Sequence, residues 1–190
     1  MIAAAARLPR LTRRALLASA IAAWAAPRLA TAATPLAEGA AFSFNLLTEE
    51  MRARATLPHA AAVPPEGFLG SLDYDDYRNI RFRPEAARWQ GAGDMFRLHA
   101  FHTGWLFGEP VQMFDVSTGT VQPLPFSTDD FRYDGGLSER VPAHAALPGV
   151  AGFRLHYPLN RLDVIDELVA FLGASYFRAL GQGNAYGISA

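Results

Sequence analysis

The chain has 190 residues, with 17 basic against 18 acidic side chains and no cysteine. Lacking thiols, it can form no disulfide, thiolate-held zinc, iron–sulfur cluster or thioether-linked haem, so its core must hold by burial alone. Arg7, Arg10, Arg13, Arg14 and Arg28 all precede the first acidic residue, Glu38, so residues 33–190 carry 12 arginines against 18 carboxylates. That balance of about −6 argues against a nucleic-acid partner.

Residues 1–32 are predicted to be an export signal. An arginine-bearing start is followed by Ala15–Ala26, a stretch interrupted only by Ser19 and too short to cross a bilayer as a helix. Ala30-Thr31-Ala32 offers the small residues of a cleavage site, so cleavage is expected after Ala32. Thr12-Arg13-Arg14-Ala15-Leu16-Leu17 matches the twin-arginine pattern, a receptor-read address. An uncleaved anchor and a general secretory signal are the alternatives. The mature chain is expected in the periplasm, with no stable membrane span after cleavage.

Residues 33–42, rich in alanine, are expected to form a flexible leader. Phe44–Ala55 reads as a helix, capped by Ser43 or Asn45, with Phe44, Leu47 and Met51 at helical spacing. After a proline-bearing linker at 58–65, Asp73–Asp76 reads as a short turn or single helical turn and residues 77–82 as a strand. Alternation over 96–101 predicts another strand, and residues 105–107 are expected to start its return after a tight turn at Thr103-Gly104. Residues 111–116 and 120–124 flank Ser117-Thr118-Gly119, the pattern of a hairpin with a three-residue loop. Residues 126–133 and 153–157 also read as strands. Asp163–Leu172 is ambiguous: Ile165, Leu168, Val169 and Leu172 fit a helix, and the same run fits a buried strand. Residues 175–180 alternate again. Strands at this spacing suggest a sandwich, not βαβ units.

Several blocks then carry a family likeness. They are Leu72-x-Tyr74-x-x-Tyr77-Arg78-x-Ile80-x-Phe82 with Trp89, Phe96-x-Leu98 with His102-x-Gly104, Gly152-Phe153-Arg154-x-x-Tyr157-Pro158-Leu159-Asn160, and Gly173-Ala174-Ser175-Tyr176-Phe177-Arg178 with Gly181, Gly183 and Tyr186–Ala190. In this order over residues 43–190 the chain resembles the periplasmic glucans biosynthesis proteins of the G and D types. The twin-arginine pattern favours the D type. The resemblance implies a fold that is mainly β: the N-terminal part of a large galactose-mutarotase-like β-sandwich, incomplete in this chain, with a small immunoglobulin-like domain following in family members. It implies a role in making osmoregulated periplasmic glucans, on whose β-1,2-linked backbone some members act as inverting glucanases. The chain is shorter than family members and is expected to be an N-terminal fragment, inactive and poorly folded alone because open sheet edges would lack partner strands.

Glycoside hydrolysis needs a pair of carboxyl groups. Asp73, Asp75, Asp76, Asp129, Asp130, Asp163, Asp166 and Glu167 are available, but aspartates beside turns are ordinarily caps or solvated loop residues. The resemblance places the catalytic carboxylate beyond Ala190, so no catalytic residue is assigned. Carbohydrate binding suits this segment better, because aromatic rings stack on sugar rings and arginines or carboxylates bond their hydroxyls. Tyr176 and Arg178, two apart on a strand, share a face, and Tyr186 can join them from the next strand. Core packing is the alternative for the tyrosines, and a structural ion pair the alternative for Arg178. Asp73, Tyr74 and Tyr77 form a second carbohydrate-binding candidate. His99 and His102, three apart on a strand, are expected on opposite faces, so no metal site is expected, and no cofactor either. Trp105 is expected to anchor the core. The partner is expected to be β-glucan polysaccharide, beside the membrane glucan-synthesis machinery. The expected action is hydrolysis or remodelling, the alternatives being non-catalytic organisation of nascent glucan for branching and mutarotase-like action on free sugars.

Overall fold

A computed structural model describes residues 37–60, 63, 65–173 and 175–184. The predicted signal at 1–32 and Tyr186 lie outside the described residues. No helix among the described residues is long and apolar enough to cross a membrane.

Helix α1 (Phe44–Ala55) starts where the Ser43 hydroxyl accepts the Leu46 N–H at 3.2 Å. None of its residues is buried. Just before it, in the stretch expected as leader, Gly39 N–H donates to Val121 O, Val121 N–H to Ala40 O and Phe42 N–H to Gly119 O, at 2.8–2.9 Å.

Local polar contacts shorten two predicted strands. The Asp73 carboxylate accepts the Asp76 N–H at 2.9 Å, and Asp76 reaches back to the Asp73 N–H. This reciprocal cap makes the helical turn expected at residues 73–76 and extends it as helix α2 (Tyr74–Arg78) into the first residues expected as strand, leaving only β1 (Ile80–Phe82) extended. Likewise Ser127 and Asp130 cap a 3₁₀ turn over Thr128–Asp130. Extended backbone resumes at β5 (Phe131–Tyr133), which pairs antiparallel with β1.

The expected hairpin is present but its ladder is short. β3 (Phe114–Asp115) pairs with β4 (Gln122–Pro123), and Asp115 lies opposite Gln122, so the loop spans residues 116–121. The expected return strand at 105–107 is absent. Gly104 and Phe107 exchange backbone hydrogen bonds at 2.9 Å, closing a tight turn that leaves Trp105 at φ +52°.

The largest sheet is antiparallel in the order β2 (Arg97–Phe101), β6 (Gly152–Tyr157), β7 (Asp166–Leu172), β8 (Tyr176–Ala179). The ambiguous stretch is therefore strand from Asp166. Its helix-like spacing has a local cause: the β6–β7 register shifts after Leu155, so that His156 faces Glu167 and Leu168 is the extra residue. A bulge breaks the two-residue alternation of a strand, and the pattern then mimics a helical period.

Register assigns the two faces of this sheet. One carries Ala100, Phe153, Phe171 and Phe177 in a cross-strand row, and the other carries His99, Arg154, Ala170 and Arg178. Leu98 and Ala100 join Leu72, Ile80, Phe126, Phe131 and Val150 in the core. Arg88 pins the core's edge. Its guanidinium binds both oxygens of Asp130 at 3.0 and 3.1 Å and lies 4.5 Å from the centre of the Phe126 ring. The described residues are mainly β, as expected of the N-terminal portion of a β-sandwich.

Candidate saccharide-binding groove

On the polar face of the sheet, the bulge brings Glu167 beside two arginines. Glu167 accepts from Arg154 Nη1 at 3.2 Å and from Arg178 Nε at 2.6 Å. Arg178 is thus a member of a structural ion triad, the alternative raised for it from sequence. Tyr176 lies two residues away on the same face, opposite Leu172. His99 and His156 stack nearby, ring centres 4.3 Å apart. Burial and the Arg154 charge hold the His156 pKa below its usual value, and burial with the charges of His156 and Arg154 brings His99 down to about 4. Both rings are therefore neutral near pH 7. Two buried nitrogens on this face, Arg154 Nε and His156 Nε2, have no hydrogen-bond partner among the described residues.

The second group of candidates comes from α2. Tyr77 donates its hydroxyl to His102 O at 2.9 Å, and burial raises its pKa to about 12. Tyr74 is half exposed, with the Arg78 guanidinium 5.4 Å from its ring centre. Trp105 departs from its expected core position. It remains 38% exposed at the tip of its turn, its ring tilted against those of Tyr74 at 5.2 Å and Tyr77 at 5.8 Å. A tight turn with a non-glycine residue at positive φ cannot be read from alternation, so the sequence missed this residue as a surface group.

The two groups meet. A pocket of about 470 Å³ has Tyr77, Arg78 and Arg81 from α2–β1 among its lining, with Phe101, Arg154 and Leu172 from the polar sheet face. Leu172 faces Tyr176 across β7–β8, and Arg154 is joined to Arg178 through Glu167. Of the sequence candidates Tyr77 lines this pocket; Tyr176 neighbours its lining through Leu172, Arg178 through Glu167 and Arg154, and Tyr74 through Arg78, whereas Asp73 is spent on its cap. Aromatic faces beside a row of guanidinium donors suit a polyhydroxylated ring, which presents apolar C–H faces and hydroxyl acceptors.

The other carboxylates considered for acid–base work have structural partners. Asp76 binds Arg140 at 2.7 Å, Asp129 binds His144 at 2.8 Å, and Asp163 binds Arg161. Asp166 accepts from Asn160, and Asp75 lies 3.8 Å from Arg78. His99 and His102 do separate: His99 is on the polar sheet face, while His102, past the end of β2, is buried against Phe131.

Residues 42–190 match the protein family described as "Periplasmic glucan biosynthesis protein, MdoG". A "Glucans biosynthesis protein G" of Cereibacter sphaeroides is 62% identical over 159 residues, covering 84% of this chain and 29% of that protein. One of the same name from Bradyrhizobium diazoefficiens is 42% identical over 183 residues, covering 95% and 36%. A third, from Vibrio cholerae, is 36% identical and covers 81% and 28%. The chain therefore spans about a third of the length of these relatives. They carry the G designation, where the twin-arginine pattern favoured D. The match over residues 42–190, together with these relatives, establishes that this chain belongs to the MdoG family of periplasmic glucan biosynthesis proteins.

Proposed function

We propose that this chain supplies a glucan-binding groove to a periplasmic protein of osmoregulated-glucan biosynthesis, and that the groove takes the β-1,2-linked backbone. The observation that carries this reading is the pocket whose lining combines Tyr77 and Phe101 with Arg78, Arg81 and Arg154. Arg154 Nε and His156 Nε2 are buried polar atoms with no partner among the described residues, and sugar hydroxyls supply both acceptors and donors. The carboxylates here serve caps and ion pairs, which supports a role in holding the polysaccharide and leaves acid–base chemistry to other parts of the protein.

Calorimetric titration of the full-length protein with short linear β-1,2-glucan oligosaccharides tests this. Binding is expected, weakened about tenfold in Arg154→Met, a loss of about 1.4 kcal/mol in keeping with a hydrogen bond from a charged group. Unchanged affinity in that variant would sink the groove. Incubation with linear β-1,2-glucan separates the two modes of action. Shortening of the polymer assigns hydrolysis or remodelling to the whole protein, and retained binding at constant length assigns an organising role beside the membrane synthesis machinery.

The export route and type are part of the same proposal. Arg13-Arg14 supports twin-arginine export and, through it, the D type, against the G designation of the relatives. Replacing both arginines by lysine should leave the precursor in the cytoplasm. Normal export of that variant would remove the basis for the D type.

A further inference from the structure

The aromatic cluster that walls the groove has a second side. Tyr77 lines the groove, and its ring packs against Trp105 and Phe107 at 5.8 and 5.6 Å. Beyond Trp105 lies a separate pocket of about 420 Å³, lined by Trp105, Leu69, Gly70, Leu106 and Glu109 among others. Trp105 is therefore shared between the cluster and this second space.

Three features favour a ligand here over simple packing. Trp105 is held at φ +52°, a conformation uncommon for a bulky side chain, and still leaves 38% of its surface exposed. Tyr74 already has Arg78 beside it, so Trp105 is the platform the second pocket offers. Glu109 adds a hydroxyl-binding carboxylate to an otherwise largely apolar lining. An aromatic face beside a carboxylate is a lining that a pyranose ring can satisfy on both its apolar and its polar sides.

We infer that Trp105 is a second saccharide platform, so that a glucan filling the Arg154 groove continues across the Tyr77–Trp105 wall and places a further glucose residue on the indole. This rests on the groove reading above, because the second pocket is reached by a polymer already held in the first. Its consequence is length dependence. Affinity rises once an oligosaccharide is long enough to occupy both pockets, since the second contact is made within an already bound chain.

The test is a titration of the full-length protein with linear β-1,2-glucan oligosaccharides of increasing length, for the unmodified protein, Trp105→Ala and Trp105→Phe. Short oligosaccharides should bind all three alike. Longer ones should bind the unmodified protein at least tenfold more tightly, Trp105→Phe with part of that gain and Trp105→Ala with none. Long but not short glucan should shift the tryptophan fluorescence of the unmodified protein, and Trp105→Ala should lose that shift. A length gain that survives Trp105→Ala, or affinity independent of length, would overturn the platform while leaving the groove standing. Failure of short oligosaccharides to bind the unmodified protein would overturn the groove and the inference resting on it.

Discussion

The Arg88–Asp130 pair should be the most sensitive polar contact in the structure. Asp130 is almost fully buried and accepts three hydrogen bonds, from Arg88 Nη1 and Nη2 at 3.0 and 3.1 Å and from the Ser127 N–H at 2.8 Å. Asp130→Ala would leave a partly buried guanidinium without its counter-charge and the Ser127 N–H without an acceptor. Breaking one side of a fully buried pair costs about 3–5 kcal/mol. Arg88 is 24% exposed and keeps the carbonyls of Ala86 and Pro125, so the low end, about 3 kcal/mol, applies here. Asp130→Asn keeps an acceptor and should cost about half as much. Arg88→Met with Asp130→Leu removes both charges and should lie closer to wild type than Asp130→Ala does. The assay is urea unfolding of the full-length protein at pH 7. A loss below about 0.5 kcal/mol for Asp130→Ala, or a double variant less stable than the single one, would refute this account of the pair.

Three further outcomes are expected. Gly152→Ala would set a Cβ 2.1 Å from Phe171 O at the start of β6, so it should cost about 3 kcal/mol or more in the same assay. His102 has its pKa brought down by burial to about 4, from 6.5 in the unfolded chain, so between these values the unfolded state binds more protons. Stability should therefore fall as pH drops from 7 to 4, by on the order of 3 kcal/mol through this group, and His102→Gln should flatten that slope. In Tyr176→Ala, glucan affinity should fall with little change in the urea midpoint, because Tyr176 pairs with Leu172 of the groove lining and lies outside the buried core.

Local patterns revealed α1, the strands at 97–101 and 152–157, and the alternation that sets Tyr176 beside Arg178. They failed where side chains bond their own backbone. The Asp73–Asp76 and Ser127–Asp130 caps each shortened an expected strand, because a reciprocal pair of side-chain bonds favours a turn over extension. Both caps have the acid-at-N3 spacing: residues 73–76 read as a turn or single helical turn from the sequence, whereas at 127–130 the flanking apolar residues outweighed it.

By itself, then, the sequence determined the family and the β character, and it singled out the aromatic and arginine residues proposed as sugar ligands, because these follow from residue types in a recognisable order. The tertiary structure decided how they meet. The β6–β7 bulge swings Glu167 onto the polar face and joins Arg154 to Arg178, an event that strict alternation cannot foresee. The turn at Gly104–Phe107 brings Trp105 out of its expected core position and onto Tyr74 and Tyr77, residues some thirty positions earlier in the chain. The bulge depends on pairing between strands, and the place of Trp105 on packing against a distant helix, so the meeting of these side chains was decided only in three dimensions.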